Sequence, residues 1–191
     1  MATKEDIIIL PAPQLRKASR KVGVVDDTIH QVINDMKSAT LDWENSRPHE
    51  VGVALAAIQI DKPVKIVIIR NNFDDKKDKK FVVLINPEIV KLDGPLTTDY
   101  EGCLSVKNIY GKVPRYNKVK VRALDENGQE VRFKAEGFLA RVLQHEIDHT
   151  KGIVFPDHIQ NNQKAFYKLT KDGKLEKMPY ETAQKAGIFR D

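Results

Sequence analysis

Apolar positions along the chain change their spacing from segment to segment, and each spacing predicts an element. Ile29, Val32, Ile33, Met36, Thr40 and Trp43 recur at helical intervals behind Asp26 and Asp27, so residues 26–45 read as a core-packing helix with an acidic N-terminus. Residues 64–69 form a continuous apolar strand, and residues 81–90 a second one broken at Asn86-Pro87. Between them, residues 71–80 mix both charge signs and read as a solvated loop. Residues 119–124 and 131–135 are strands joined by a turn at Asn127-Gly128. From about residue 137 to 151 the period is helical again. Ile7, Ile8 and Ile9 precede Pro11 and Pro13 as an extended entry, and residues 52–59 are small and apolar, a buried strand or turn ending in Gln59.

The second helix has an unusual phase. Phe138, Val142, His145 and His149 fall on one stripe, and Leu139, Leu143 and Glu146 on its neighbour. Arg141, Gln144 and Asp148 are left on another face. Two imidazoles and a carboxylate therefore point inward with apolar side chains, a placement polar groups tolerate only when satisfied. His145 and His149, one turn apart, can hold one ion, and His145-Glu146-Ile147-Asp148-His149 is the HExxH pattern of zinc-type hydrolases.

Composition adds bounds. At 191 residues and 41% hydrophobic, the chain fits one globular domain, and a net charge of +5 is too dispersed to make nucleic-acid binding its first reading. The N-terminal apolar run is too short for a signal peptide or a membrane span, so the expectation is a cytoplasmic protein without membrane contact. Cys103 is the single cysteine, which excludes an internal disulfide and makes it a candidate third ligand. Beyond residue 160, seven basic side chains face four acidic ones, so this end is either a solvated surface or a docking site for something anionic.

Two peptidase patterns fit poorly. A third His would be needed at position 155, which is Phe, and a downstream Glu would have to be Glu176 or Glu181 in the lysine-rich tail. Three ordered motifs instead resemble peptide deformylases: residues 52–59, Glu101-Gly102-Cys103-Leu104-Ser105, and Gln144 to His149. Asn86-Pro87-Glu88, Ile89 and the opening around residues 10–16 extend the resemblance to roughly residues 7–159.

The resemblance implies an α+β fold in which antiparallel strands surround a central metal-binding HExxH helix; the expected organisation is one catalytic domain over residues 1–160 and a basic C-terminal extension over 161–191, packed on it or trailing from it. It implies Cys103, His145 and His149 as metal ligands, Glu146 as general base and acid, and Gln59 with the Leu104 N–H as oxyanion donors. Gly52 and Gly102 would pair with substrate in a strand-like manner, and Val53, Leu139 and Val142 would line the methionine pocket. Glu101 is a candidate partner for a group behind the ligands. The implied activity is removal of the N-formyl group from N-formylmethionyl nascent peptides with release of formate, a step of protein biosynthesis. The implied ion is Fe(II), with Zn, Ni or Co able to take its place. A ribosome contact through the basic tail and a monomeric state complete the expectation. Two departures from the family pattern are Ala54, where Gly is common, and His158, where Arg is common. An HExxH peptidase, or a non-catalytic module on the same fold, is the competing reading.

Overall fold

A computed structural model describes residues 1–47 and 49–190. Helix α1 (Asp27–Asn45) starts where Asp26 accepts the Ile29 N–H at 3.0 Å, an N-cap that satisfies one of the helix's free donors. Strands β1 (Ala54–Ala56), β2 (Ile66–Arg70), β3 (Phe81–Cys103), β4 (Val106–Leu124), β5 (Glu130–Glu136), β6 (Phe166–Leu169) and β7 (Leu175–Lys177) form one antiparallel sheet, in the order β1-β2-β3-β4-β6-β7 with β5 also paired to β4. Helix α2 (Gly137–His149) follows β5, and α3 (Tyr180–Lys185) closes the chain.

The uninterrupted apolar run in β2 follows from its position. Ile66 and Ile68 face α1, in a cluster with Ile33, Met36, Leu55 and Ile85, while Val67 and Ile69 face α2, in a cluster with Leu84, Val121, Leu143 and Ile147. A strand covered on both faces needs no polar alternation. Ser, Thr or Lys at any of these positions would bury an unpaired polar group.

Two expectations change. The break at Asn86-Pro87 does not end its strand: Asn86 takes φ 52, the register shifts between Ile85 and Glu88, and β3 continues to Cys103. The Asn86 side chain secures this bulge, accepting from Val22 N–H and donating to Val22 carbonyl, both at 2.8 Å. Residues 106–118, which had no assigned element, are the first part of β4. The C-terminal segment is anchored: Phe166, Met178, Ala183 and Ile188 are buried in a third cluster with Leu15, Val113 and Phe155. Arg16 Nη1 donates to both carboxylate oxygens of Asp157, at 2.8 and 2.6 Å, and its Nη2 donates to the Ile188 carbonyl at 2.9 Å.

Candidate active site

The second helix supplies most of the site. Besides Ala140, Leu143 and Ile147, α2 buries Arg141, Gln144, His145, Glu146 and His149, so the face assigned to Arg141 and Gln144 is not a solvent face. Each of those two is satisfied from the sheet. Gln144 donates to the Tyr116 carbonyl at 2.8 Å and accepts from its N–H at 3.1 Å, which docks α2 on β4. Arg141 donates to the Val113 and Thr97 carbonyls and to Glu101 Oε1, at 2.7, 2.7 and 2.8 Å.

Cys103, at the end of β3, meets the helix. Its Sγ lies 3.3 Å from His149 Nε2, and the ligand atoms of Cys103, His145 and His149 all fall within 4.8 Å of one another. His145 is oriented by Glu101, whose Oε2 lies 2.9 Å from Nδ1, leaving Nε2 for the cluster. Glu101 in turn takes both Arg115 (2.9 and 3.1 Å) and Arg141. Arg115 reaches on to Asp148 Oδ2 at 2.5 Å, which is 2.7 Å from His158 Nε2. The group behind which Glu101 stands is therefore His145, and His158 ends the same chain of contacts.

Gln59, on a turn of 3-10 helix over Ala57–Ile60, is fixed at both ends of its amide. Its Oε1 accepts from Ala56 N–H at 2.8 Å, which aims Nε2 at Ser105 Oγ, 3.0 Å, and Cys103 Sγ, 3.5 Å. Glu146 is also buried, and its Oε2 has no hydrogen-bond partner among the described residues, nor does His149 Nδ1. Burial lifts the Glu146 carboxyl to about 7, with the neighbouring His145 opposing. Burial also opposes charge on His145, but Cys103 and Glu101 outweigh it and hold that imidazole well above its ordinary value. On His149, burial and the nearby His145 act together and pull it well below. Glu101, despite burial, is held low by His145 and Arg115.

One cysteine sulfur and two imidazoles converging beside a buried carboxylate with an unpartnered oxygen fit a borderline-soft divalent cation. The cluster opens on a cavity of about 320 Å³ lined by Val53, Gln59, Gly102, Cys103, Leu104, Phe138, Val142, His145 and Glu146, among others. Trp43, Glu50 and Tyr110 also line it, with the Tyr110 hydroxyl donating to Glu50.

Among the candidate substrate residues, Leu139 is not on the cavity. It packs into the α2 core cluster, and its neighbour Phe138 takes the place on the wall, because a one-residue step rotates a side chain by about 100° around a helix. Gly52 is close to the rim but its N–H is engaged by Glu44 Oε2 at 2.9 Å, so that group is not free for a strand-like partner. A Cβ at Gly102 would stand 2.4 Å from the Tyr110 ring, and at Gly52 2.6 Å from Thr40 Cγ2, so both positions require glycine on steric grounds.

The family model for polypeptide deformylase matches residues 4–165. The chain belongs to this family. It is 44% identical over 143 residues to peptide deformylase 2 of Clostridium acetobutylicum, covering 75% of this chain and 87% of that one. With the peptide deformylase of Mesorhizobium japonicum it shares 38% over 177 residues, 88% and 96% of the two chains. Among solved structures, the Legionella pneumophila peptide deformylase superposes with a TM-score of 0.70 at 38% identity, over 83% of this chain and 86% of that one. The Synechococcus elongatus enzyme, solved in complex with actinonin, gives 0.70 at 34%, over 80% and 76%. The α+β fold of antiparallel strands around the HExxH helix is thus a deformylase fold, and the family is one of metal-dependent hydrolases. The peptidase reading gains nothing: Phe155 is buried in the third cluster and stacks on His145, centroids 6.2 Å apart, while Glu176 and Glu181 are exposed on the C-terminal segment.

Arg115, Arg141 and Phe138 were not singled out as site residues by sequence. A signal for Arg115 exists in the alternation of β4, where Ile109, Gly111, Val113 and Arg115 all face inward. Glycine and arginine at two of those four positions hide it. No helix among the described residues is long and apolar enough to cross a membrane.

Proposed function

We propose that Cys103, His145 and His149 hold one divalent ion and that Glu146 is the general base and acid of a deformylase acting on formylmethionyl nascent polypeptides. The observation that carries the assignment of roles is the convergence of three ligand atoms within 4.8 Å of one another on a cavity that also holds a buried Glu146 with an unpartnered oxygen. Bound there, the ion supplies Lewis acidity and lowers the pKa of water. Glu146 takes a proton from water as the hydroxide adds to the formyl carbon. When the C–N bond breaks, the same proton passes to the leaving amine, and formate and a free N-terminal methionine result. Gln59 Nε2, aimed by its bonds to Ala56 and Ser105, and the Leu104 N–H are the oxyanion donors in this reading. Val53 and Val142 line the pocket, and Gly102 offers backbone to the substrate.

Fe(II) is the ion the family resemblance favours, although a Cys-His-His set accepts Zn, Ni or Co. Residues 161–191 are read as an extension docked on the catalytic part. Lys164, Lys168, Lys171, Lys174, Lys177 and Lys185 are exposed on it, and a ribosome contact there fits a substrate still being synthesised. Charge reversal at Lys168, Lys171 and Lys174 should then abolish salt-sensitive pelleting with ribosomes; unchanged pelleting removes that contact from the proposal.

The main experiment pairs anaerobic metal analysis with formate release from a formylmethionyl peptide. Glu146→Ala should cut release by about 10²–10⁴-fold while the metal content stays. An intact, metal-loaded protein that releases no formate overturns the reading.

A further inference from the structure

The loop over residues 71–80 carries one apolar side chain, Phe73, among amides and charges. That ring is half-buried because it meets Phe138 edge-on, with centroids 4.9 Å apart and planes at 64°. Phe138 is 48% exposed and lines the cavity with Val142, His145 and Glu146. It precedes His145 by two turns of α2, about 10 Å along the helix, and so marks the end of the cavity remote from the ligand cluster.

The loop is tied down at its base. Arg70 Nη1 donates to the Asp78 carbonyl at 2.7 Å, and the Asn71 amide donates to the Asp78 carboxylate at 3.0 Å. Lys79 Nζ reaches Glu44 Oε1 at 2.9 Å. The other Glu44 oxygen accepts from Arg70 at 2.5 Å and from Gly52 N–H at 2.9 Å. One buried carboxylate therefore fixes both the loop that carries Phe73 and the segment that places Val51 and Val53 on the cavity edge.

We propose that Phe73 is a positioning residue for substrate selection: it holds the Phe138 ring in place and so closes the pocket that receives the side chain of the formylated residue. The proposal rests on the deformylase reading above. A thioether chain long enough to reach an aromatic edge gains from a ring held still, since sulfur–aromatic contacts depend on geometry. A short side chain does not reach it.

The test compares wild type, Phe73→Ser and Phe73→Leu on two formylated peptides that differ only in beginning with methionine or alanine. Phe73→Ser should raise KM for the methionyl peptide about fivefold with kcat within about twofold, the size expected for loss of one aromatic pair. KM for the alanyl peptide should not change, and Phe73→Leu should recover most of the loss. Equal changes on both peptides, or none on the methionyl one, overturn the proposal. No formate from wild type on the methionyl peptide would instead bring down the deformylase reading, so the two failures are told apart.

Discussion

Helices α1 and α2 lie on opposite faces of the same strands and bury comparable stripes, yet they are held there differently. On α1 the buried side chains are Ile29, Val32, Ile33, Met36, Ala39 and Thr40, with Glu44 the one buried charge, in its last turn. On α2, Arg141, Gln144, His145, Glu146 and His149 are buried as well. Removal of apolar surface from water is enough to dock α1. It would oppose docking of α2 unless the sheet supplied partners, and β3 and β4 do so through Glu101, Tyr116 and the carbonyls of Thr97 and Val113. The polar side-chain atoms on α2 that remain buried and unpartnered, Glu146 Oε2 and His149 Nδ1, belong to the HExxH motif. On these two helices, burial explained by apolar packing marks the scaffold, and polar burial that the sheet must satisfy marks the site.

The hardest break in that contrast is Glu101→Ala. It strips Arg115, Arg141 and His145 Nδ1 of their shared carboxylate, leaving the buried Arg141 without a counter-charge and Arg115 with Asp148 alone. Stability should fall by about 3–5 kcal/mol. Metal affinity should fall by about 10–100-fold as His145 loses its orientation. Urea unfolding and metal competition measure the two losses, and a variant that kept both would mean the α2 network is not what holds the helix.

On the other helix, Met36→Ala should cost about 2–5 kcal/mol through the cavity it leaves in the α1 cluster. Metal content and kcat per folded molecule should be unchanged, because no polar contact of the site passes through Met36. If formate release fell in step with stability even where the variant is fully folded, the two helices would not be separable in the way the contacts imply.

The same contrast explains what the sequence disclosed. α1, β2 and the β4–β5 turn at Gly128 were legible because hydrophobic burial writes its period directly into residue type. β3 beyond Val90 was not, since Lys91 to Tyr100 are mostly exposed and the register shifts repeatedly against β4. β6, β7 and α3 are short and depend on docking into the third cluster, which no local pattern encodes. At the site, Cys103, His145, Glu146 and His149 stood out because such residues are rare and their spacing is specific. Arg115 and Arg141 did not, because a lone arginine ordinarily reads as surface and only the fold brings both to Glu101.

Glu88 offers the smallest test, because like Glu101 it joins two basic side chains but without the burial. It sits between Arg122 at 2.7 Å and Lys21 at 3.0 Å, with a third of its side chain exposed. The bonds from Arg122 and Lys21 lower its carboxyl from 4.5 to about 2. A carboxylate whose pKa is depressed by folding stabilises the native state above its unfolded value and loses that contribution as pH falls towards the folded one. Glu88→Gln should therefore cost about 0.2–1 kcal/mol near neutrality, reduced by added salt, because solvent screens an exposed pair. The gap from wild type should stay constant down to about pH 4.5 and close between there and about pH 2. Urea midpoints for the two proteins, taken down that range at low and high salt, measure it. A gap that widens on acidification, or one as large as that of Glu101→Ala, would show that charge number rather than burial sets the worth of these networks.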